Sequence, residues 1–151
     1  MALDNETLLV RAGVARDLLL LASPADDQIE YFRHRGIPRE ELYNEWMHWD
    51  TAMIPQLVSA NALTPEIERL VEAITETMES FGSESRAEIE RVGNLAPHFD
   101  MYSESAIRHG SRWAEIRSLS SEALAAFHRL GVVTLGLNDD DYNKVLPPDR
   151  H

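Results

Sequence analysis

Thr64-Pro65-Glu66-Ile67-Glu68-Arg69-Leu70-Val71-Glu72-Ala73-Ile74-Thr75-Glu76-Thr77-Met78-Glu79-Ser80-Phe81-Gly82 decides the fold class. Thr64 is a helix N-cap residue, Pro65 suits the first helical position, and Glu66 stands where the positive end of a helix favours an acid. Ile67, Leu70, Val71, Ile74, Met78 and Phe81 then recur every three or four residues, which is one face of a helix. Gly82 is expected to close that helix, with a further short helix over 83–92. A second stripe runs along the same helix. Glu68, Glu72, Glu76 and Glu79 fall at i, i+4, i+8 and i+11, with Arg69 as the one base nearby.

The same punctuation repeats on either side. Asp4 or Asn5 caps a first helix reaching about Ala22, and Ser23-Pro24 both ends it and starts a second, with Ser23 as N-cap. Gly36 is placed as the residue that terminates the second helix after Arg35. Ile37-Pro38 opens a third, in which Leu42, Trp46, Trp49 and Met53 form one apolar stripe until Pro55 ends or kinks it. Downstream, 104–119 is helical with Gly110 as a weak point. Ser120 caps another helix carrying Leu124, Phe127 and Leu130, closed by Gly131. Val132–Leu137 is the one credible extended segment, and one strand cannot make a sheet.

These readings predict an all-α, single-domain bundle of five to seven helices over 1–146, followed by a tail over 147–151. A chain of 151 residues is long enough to bury roughly two-thirds of its unfolded surface. With 44% hydrophobic and 26% charged residues, it has the composition of a globular domain rather than a disordered one.

Charge and missing residue types exclude several functions. The absence of cysteine removes disulfides, thiolate zinc sites and cysteine nucleophiles. A net charge of -12 is a poor balance for binding a phosphate backbone, so no direct nucleic-acid binding is expected. The acidity lies in the first two-thirds: residues 61–110 alone hold 4 basic and 10 acidic groups. The N-terminal residues are acidic where a signal peptide would be basic, and no apolar run is long enough to span a membrane. A cytoplasmic protein is expected.

Three constellations bear on chemistry. Glu45-x-x-His48, with Glu41 one turn earlier, places carboxylates and an imidazole on one helix face, as in di-iron bundles. Those bundles need a second such element, and no other histidine has an acid three residues before it. No metal or cofactor is therefore assigned, and a metal-binding helical-bundle enzyme using Glu41, Glu45 and His48 is the alternative reading. His98 and Asp100 lie in an irregular segment that lacks a nucleophile motif. Asn138-Asp139-Asp140-Asp141 lacks the glycine and glutamate of a calcium loop and reads as a turn. A recognition helix over Ser120–Leu130 would present Ser120, Ser121 and Glu122 to DNA, with no base among them.

The acidic stripe is the stronger functional signal. Like charges at i, i+4 cost roughly 0.2–0.5 kcal/mol per pair, a cost that presentation to a basic partner explains. Tyr43, Met47 and Asp50 lie around the third helix from its apolar stripe and are candidates for a contact surface. Tyr31 joins them because it and Phe32 are adjacent and cannot both point inward. The candidate partner-binding residues are thus Glu68, Glu72, Glu76, Glu79, Tyr43 and Tyr31, while Trp46 and Trp49 are assigned to the core.

Gly36-Ile37-Pro38-Arg39-Glu40-Glu41-Leu42-Tyr43-Asn44-Glu45-Trp46 resembles a stretch found in small acidic bacterial proteins of the toxin-immunity type. Trp113-Ala114-Glu115-Ile116-Arg117 followed by Glu122-Ala123-Leu124 is similar to them as well. The resemblance implies a cytoplasmic inhibitor without activity of its own, which blocks one cognate toxin. A basic toxin nuclease would suit the acidic stripe. A homodimer pairing through Val132–Leu137 is a third reading.

Overall fold

Asp4 begins the chain's first helix as an N-cap, its Oδ1 accepting the Thr7 amide at 2.7 Å. From there a computed structural model describes residues 2–92, 100–132 and 137. The helices are α1 (Asn5–Ala22), α2 (Ala25–Arg35), α3 (Glu41–His48), α4 (Ile54–Ser59), α5 (Pro65–Val92), α6 (Glu104–His109) and α7 (Ser111–Arg129). A π-helical turn, Trp49–Met53, joins α3 to α4, so that these three form one continuous rod. No strand occurs among the described residues. The all-α bundle expected from the spacing is the observed fold.

Local chemistry explains most boundaries. Thr64 accepts the Ile67 amide at 3.2 Å and starts α5, as its position before Pro65 predicts. Gly36 takes the left-handed conformation, φ 64°, that a side chain would strain. Gly131 does the same at φ 92°, and the Val132 amide then bonds back to the Phe127 carbonyl to close α7. Ser23 differs from expectation. Its hydroxyl donates backwards to the Leu19 carbonyl at 2.7 Å and so caps the end of α1, while Pro24 stands at the N-cap of α2.

Three further departures have clear causes. First, Pro55 does not end its helix. It has no amide to donate and its ring crowds the carbonyl four residues back, and the backbone meets both demands by widening into the π turn just before it. The extra residue in that turn rotates everything after it by about 100°. The expected stripe therefore continues at Leu42 and Trp46, but Ile54 and Leu57 take the buried side in place of Trp49 and Met53, which are half-buried. Second, α5 runs straight through Gly82 for 28 residues. Glycine costs a helix interior about 1 kcal/mol, and the buried Phe81 and Ser85 on either side of it outweigh that. Third, Ser120 is not a cap. It is fully buried inside α7, and the break falls instead at Gly110, where a Cβ would collide with the Ala106 carbonyl oxygen.

The core is organised around α7, which packs on α1 along one side and on α5 along the other. Val14, Leu18 and Leu21 of α1 meet Trp113, Ile116 and Phe127 of α7, with Ile67, Ile74 and Met78 of α5 closing the layer. Both buried tryptophans have their indole N–H satisfied: Trp46 donates to Thr75 Oγ1 at 2.9 Å and Trp113 to the Met101 carbonyl at 2.6 Å. Gln28 is fully buried and joins three helices. Its amide donates to the Leu20 and Leu21 carbonyls at the end of α1, each at 3.0 Å, and its oxygen accepts from Arg117 of α7 at 3.1 Å.

The extended segment expected at Val132–Leu137 falls mostly outside the described residues. So do His98, the turn at Asn138–Asp141 and the tail over 147–151.

Candidate functional site: an acidic groove between two helical rods

The α3–α4 rod and α5 lie side by side and run in opposite directions. Trp46 bonds to Thr75, and Tyr43 sits against Gly82, where a Cβ would lie 3.8 Å from its ring. Past Trp46 the two rods leave a groove of about 390 Å³. One wall carries Asp50, Ile54 and Val58; the other carries all four glutamates of the predicted stripe, Glu68, Glu72, Glu76 and Glu79, around Val71 and Thr75. The π turn makes this possible, because it is the rotation after residue 49 that aims Ile54 toward α5.

The groove combines an apolar floor with an acidic rim. Ile54 and Val71 are buried beneath it, while Val58 remains 44% exposed, one of the few large apolar side chains on the surface. Five carboxylates surround that floor, and none of them makes a side-chain hydrogen bond or ion pair among the described residues. Elsewhere several acids hold arginines, although others, such as Glu6, Asp27, Glu40 and Glu122, are in no ion pair among the described residues. Glu104 receives Arg33 at 2.9 Å, Arg108 at 3.1 Å and Arg39 at 3.8 Å, and its carboxyl is held below the usual range chiefly by the bond from Arg33. Arg112 pairs with Glu84 and Glu115, and Arg129 with Glu66. The protein spends its arginines away from the groove and leaves the groove charged.

The other candidates are dispersed. Tyr43 lies on Gly82, one turn beyond Glu79, and borders the far end of the stripe without lining the groove. Tyr31 stands apart on α2, where the Arg35 guanidinium stacks 3.8 Å from its ring centre. Glu45 and His48 are exposed and Glu41 half-buried, and among the described residues no three His, Asp or Glu side chains are grouped to hold a metal. The two arginines near the supposed recognition helix are committed internally, Arg117 to Gln28 and the Ile107 carbonyl, Arg129 to Glu66.

A second, smaller cavity of about 120 Å³ opens between α1, α2 and α3. Asp17, Glu45, Tyr31 and Trp49 line it, together with Arg16. Trp49 is thus a cavity wall rather than core, and it rests so closely on Gly13 that a Cβ there would come within 2.6 Å of its ring. Asp17 is only 8% exposed, and its Oδ2 has no hydrogen-bond partner. Burial pushes its carboxyl well above the usual range, the nearby Glu45 adds to the shift, and Arg16 opposes it.

Comparison with protein-family models, curated proteins and solved structures finds no match. Function therefore rests on the geometry. Ile54, Val58 and Asp17 are the residues that spacing did not single out. Asp17 alone left a trace, as an acid set directly before the apolar run Leu18–Ala22.

Proposed function

We propose that this is a non-enzymatic binding protein whose acidic groove seats a cationic, partly apolar segment of a basic protein partner. The observation that carries the reading is the clustering of charge: five carboxylates without an ion pair among the described residues are gathered around one apolar floor, with no arginine lining it among those residues. Three like-charged neighbours on α5, Glu68–Glu72, Glu72–Glu76 and Glu76–Glu79, each cost a few tenths of a kcal/mol in the free protein. A basic segment laid along the groove removes that repulsion and covers Val58. The unscreened rim attracts such a partner over several ångströms, which raises the association rate.

The resemblance of Gly36–Trp46 and of Trp113–Arg117 to immunity-type proteins supports a narrower version. In it the protein acts in the cytoplasm as an inhibitor that covers the working surface of one basic toxin, a toxin nuclease being the class whose own positive charge fits. Tyr43, at the end of the stripe, then serves as an aromatic anchor at the margin of the contact. No helix among the described residues is long and apolar enough to cross a membrane.

The test is capture from host lysate by the wild-type protein and by the Glu68→Lys/Glu76→Lys double variant, each eluted stepwise with salt. A basic protein held by the wild type and lost from the variant at low salt is the expected result. Equal retention by both proteins removes the groove from the interface.

A further inference from the structure

We propose that the cavity between α1 and α3 is a binding site for a small organic monocation, an alkylammonium or guanidinium group, with Asp17 and Glu45 as its two carboxylate acceptors. The site is separate from the acidic groove and does not depend on what the groove binds.

The first ground is the unused acceptor. Asp17 lines the cavity, is nine-tenths buried, and leaves Oδ2 without any donor. A buried carboxyl oxygen without a partner is costly, and a ligand that brings N–H groups supplies what the fold does not. The second ground is charge. Asp17 on α1 and Glu45 on α3 face one cavity, and among the described residues Arg16 is the one cation lining it, its guanidinium donating to the Leu137 carbonyl at 3.1 Å. Arg35, stacked on Tyr31, donates to the same carbonyl at 2.9 Å, so both arginines of this corner are turned to Leu137 while Asp17 and Glu45 offer two carboxylates to the cavity. An anion would meet the two acids, and the unpartnered oxygen of Asp17 calls for a donor, which together favour a cation carrying N–H groups.

Shape and surface narrow the class. About 120 Å³ is the space of roughly four water molecules, enough for a ligand of a few heavy atoms and too little for a nucleotide or a peptide. Trp49 lines the cavity from the π turn, and the bare Gly13 lets its ring approach α1 closely. An aromatic face beside carboxylates favours an organic cation over a bare metal ion, for which no third acidic or imidazole ligand is grouped here among the described residues. The Tyr31 ring, the other aromatic wall, already carries one guanidinium, that of Arg35, which shows that cation stacking suits this corner of the fold.

Binding also carries a pH signature. The groups facing Asp17 are Arg16 on its own helix, Tyr31 and Arg35 on α2, and Glu45 on α3. The cation needs Asp17 ionised, and burial holds that carboxyl protonated above the usual carboxylate range, so affinity rises with pH.

The probe is methylguanidinium chloride, titrated at constant ionic strength against sodium chloride, with tryptophan fluorescence and calorimetry as readouts. Saturable binding is expected, tightening as pH rises. Asp17→Asn and Glu45→Gln are each expected to weaken it at least tenfold, since each removes a charge-assisted acceptor. Trp49→Phe is expected to remove the fluorescence change while calorimetry still registers heat. Glu45 is exposed, so its variant reports on binding even if Asp17→Asn perturbs folding. A response no greater than that of sodium chloride, or one unchanged in Glu45→Gln, overturns the proposal.

Discussion

Replacing Gln28 with alanine should cost the fold more than any other single polar substitution described here, and the structure sets the size of the loss. The helix α1 ends with carbonyls that have no partner within the helix, and Gln28 supplies donors to two of them, Leu20 and Leu21. The Leu20 carbonyl also accepts the Ser23 amide at 3.2 Å and stays satisfied without Gln28. Among the described residues no other bond to the Leu21 carbonyl substitutes for the lost one, so a buried acceptor is stranded at about 1–3 kcal/mol. Loss of the second bond and of the Arg117 contact adds about 1 kcal/mol, giving roughly 2–4 kcal/mol in all. Arg117 keeps the Ile107 carbonyl at 3.0 Å, which limits the damage on the α7 side. At roughly 3 °C per kcal/mol for a chain of this size, Tm should fall by about 10 °C. Urea and thermal unfolding followed by circular dichroism measure both quantities. Gln56→Ala is the control, because Gln56 makes a similar bond to the Ala52 carbonyl at 3.1 Å but on the exposed surface. A Gln28→Ala loss no larger than that of the control would refute the role of Gln28 as the link between α1, α2 and α7.

Two glycines with opposite surroundings give opposite predictions. Gly82→Ala should stabilise by about 0.5–1 kcal/mol, since it lies in an unbroken helix and its nearest neighbours sit at ordinary contact distance, 3.8 Å. Destabilisation there would indicate that α5 breaks at this point. Gly13→Ala should instead cost about 1–3 kcal/mol, because the new methyl meets the Trp49 ring, and a shift in tryptophan emission should accompany the loss. Asp17 predicts the direction of a pH profile. In the unfolded chain it ionises near pH 3.9, as is usual, whereas in the fold burial keeps it protonated to higher pH. The unfolded state therefore holds fewer protons above about pH 3.9, and stability falls from there as pH rises through the folded value. Asp17→Asn should flatten that fall and raise Tm at neutral pH in the absence of small cations. A pH profile identical to wild type contradicts this assignment.

Two helix starts, at Asp4 and Thr64, were legible because each is a local contract between one side chain and one amide. Asp4 with Thr7, and Thr64 with Ile67, are read from adjacent residues alone. Interruptions were less legible, since they depend on what lies across the interface. Gly82 looks like a stop and Ser120 like the start of a new helix in sequence, yet Tyr43 and Met101 flank the first, and the second is buried in the centre of α7. The π turn was invisible for the same reason. Pro55 announces a disturbance, but whether the rod bends, ends or widens is decided by the packing of Ile54 and Leu57 on the core. The acidic stripe was fully legible as a helical repeat. Its opposite wall was legible only at Asp50, because Ile54 and Val58 come to it only after that rephasing. Asp17 was hidden for a simpler reason: one acid in an apolar stretch says nothing about which residues surround it.

The most direct measurement of the groove's role is the association rate of the captured basic partner as a function of ionic strength, for wild type and for Glu68→Lys/Glu76→Lys. Wild type should associate fast at low salt and slow steeply as salt rises, because the exposed rim is screened beyond about 10 Å at 0.1 M. The double variant should associate slowly at every salt concentration, with a nearly flat dependence. Equal rates and equal salt slopes in the two proteins would contradict the assignment of the groove as the partner-binding surface.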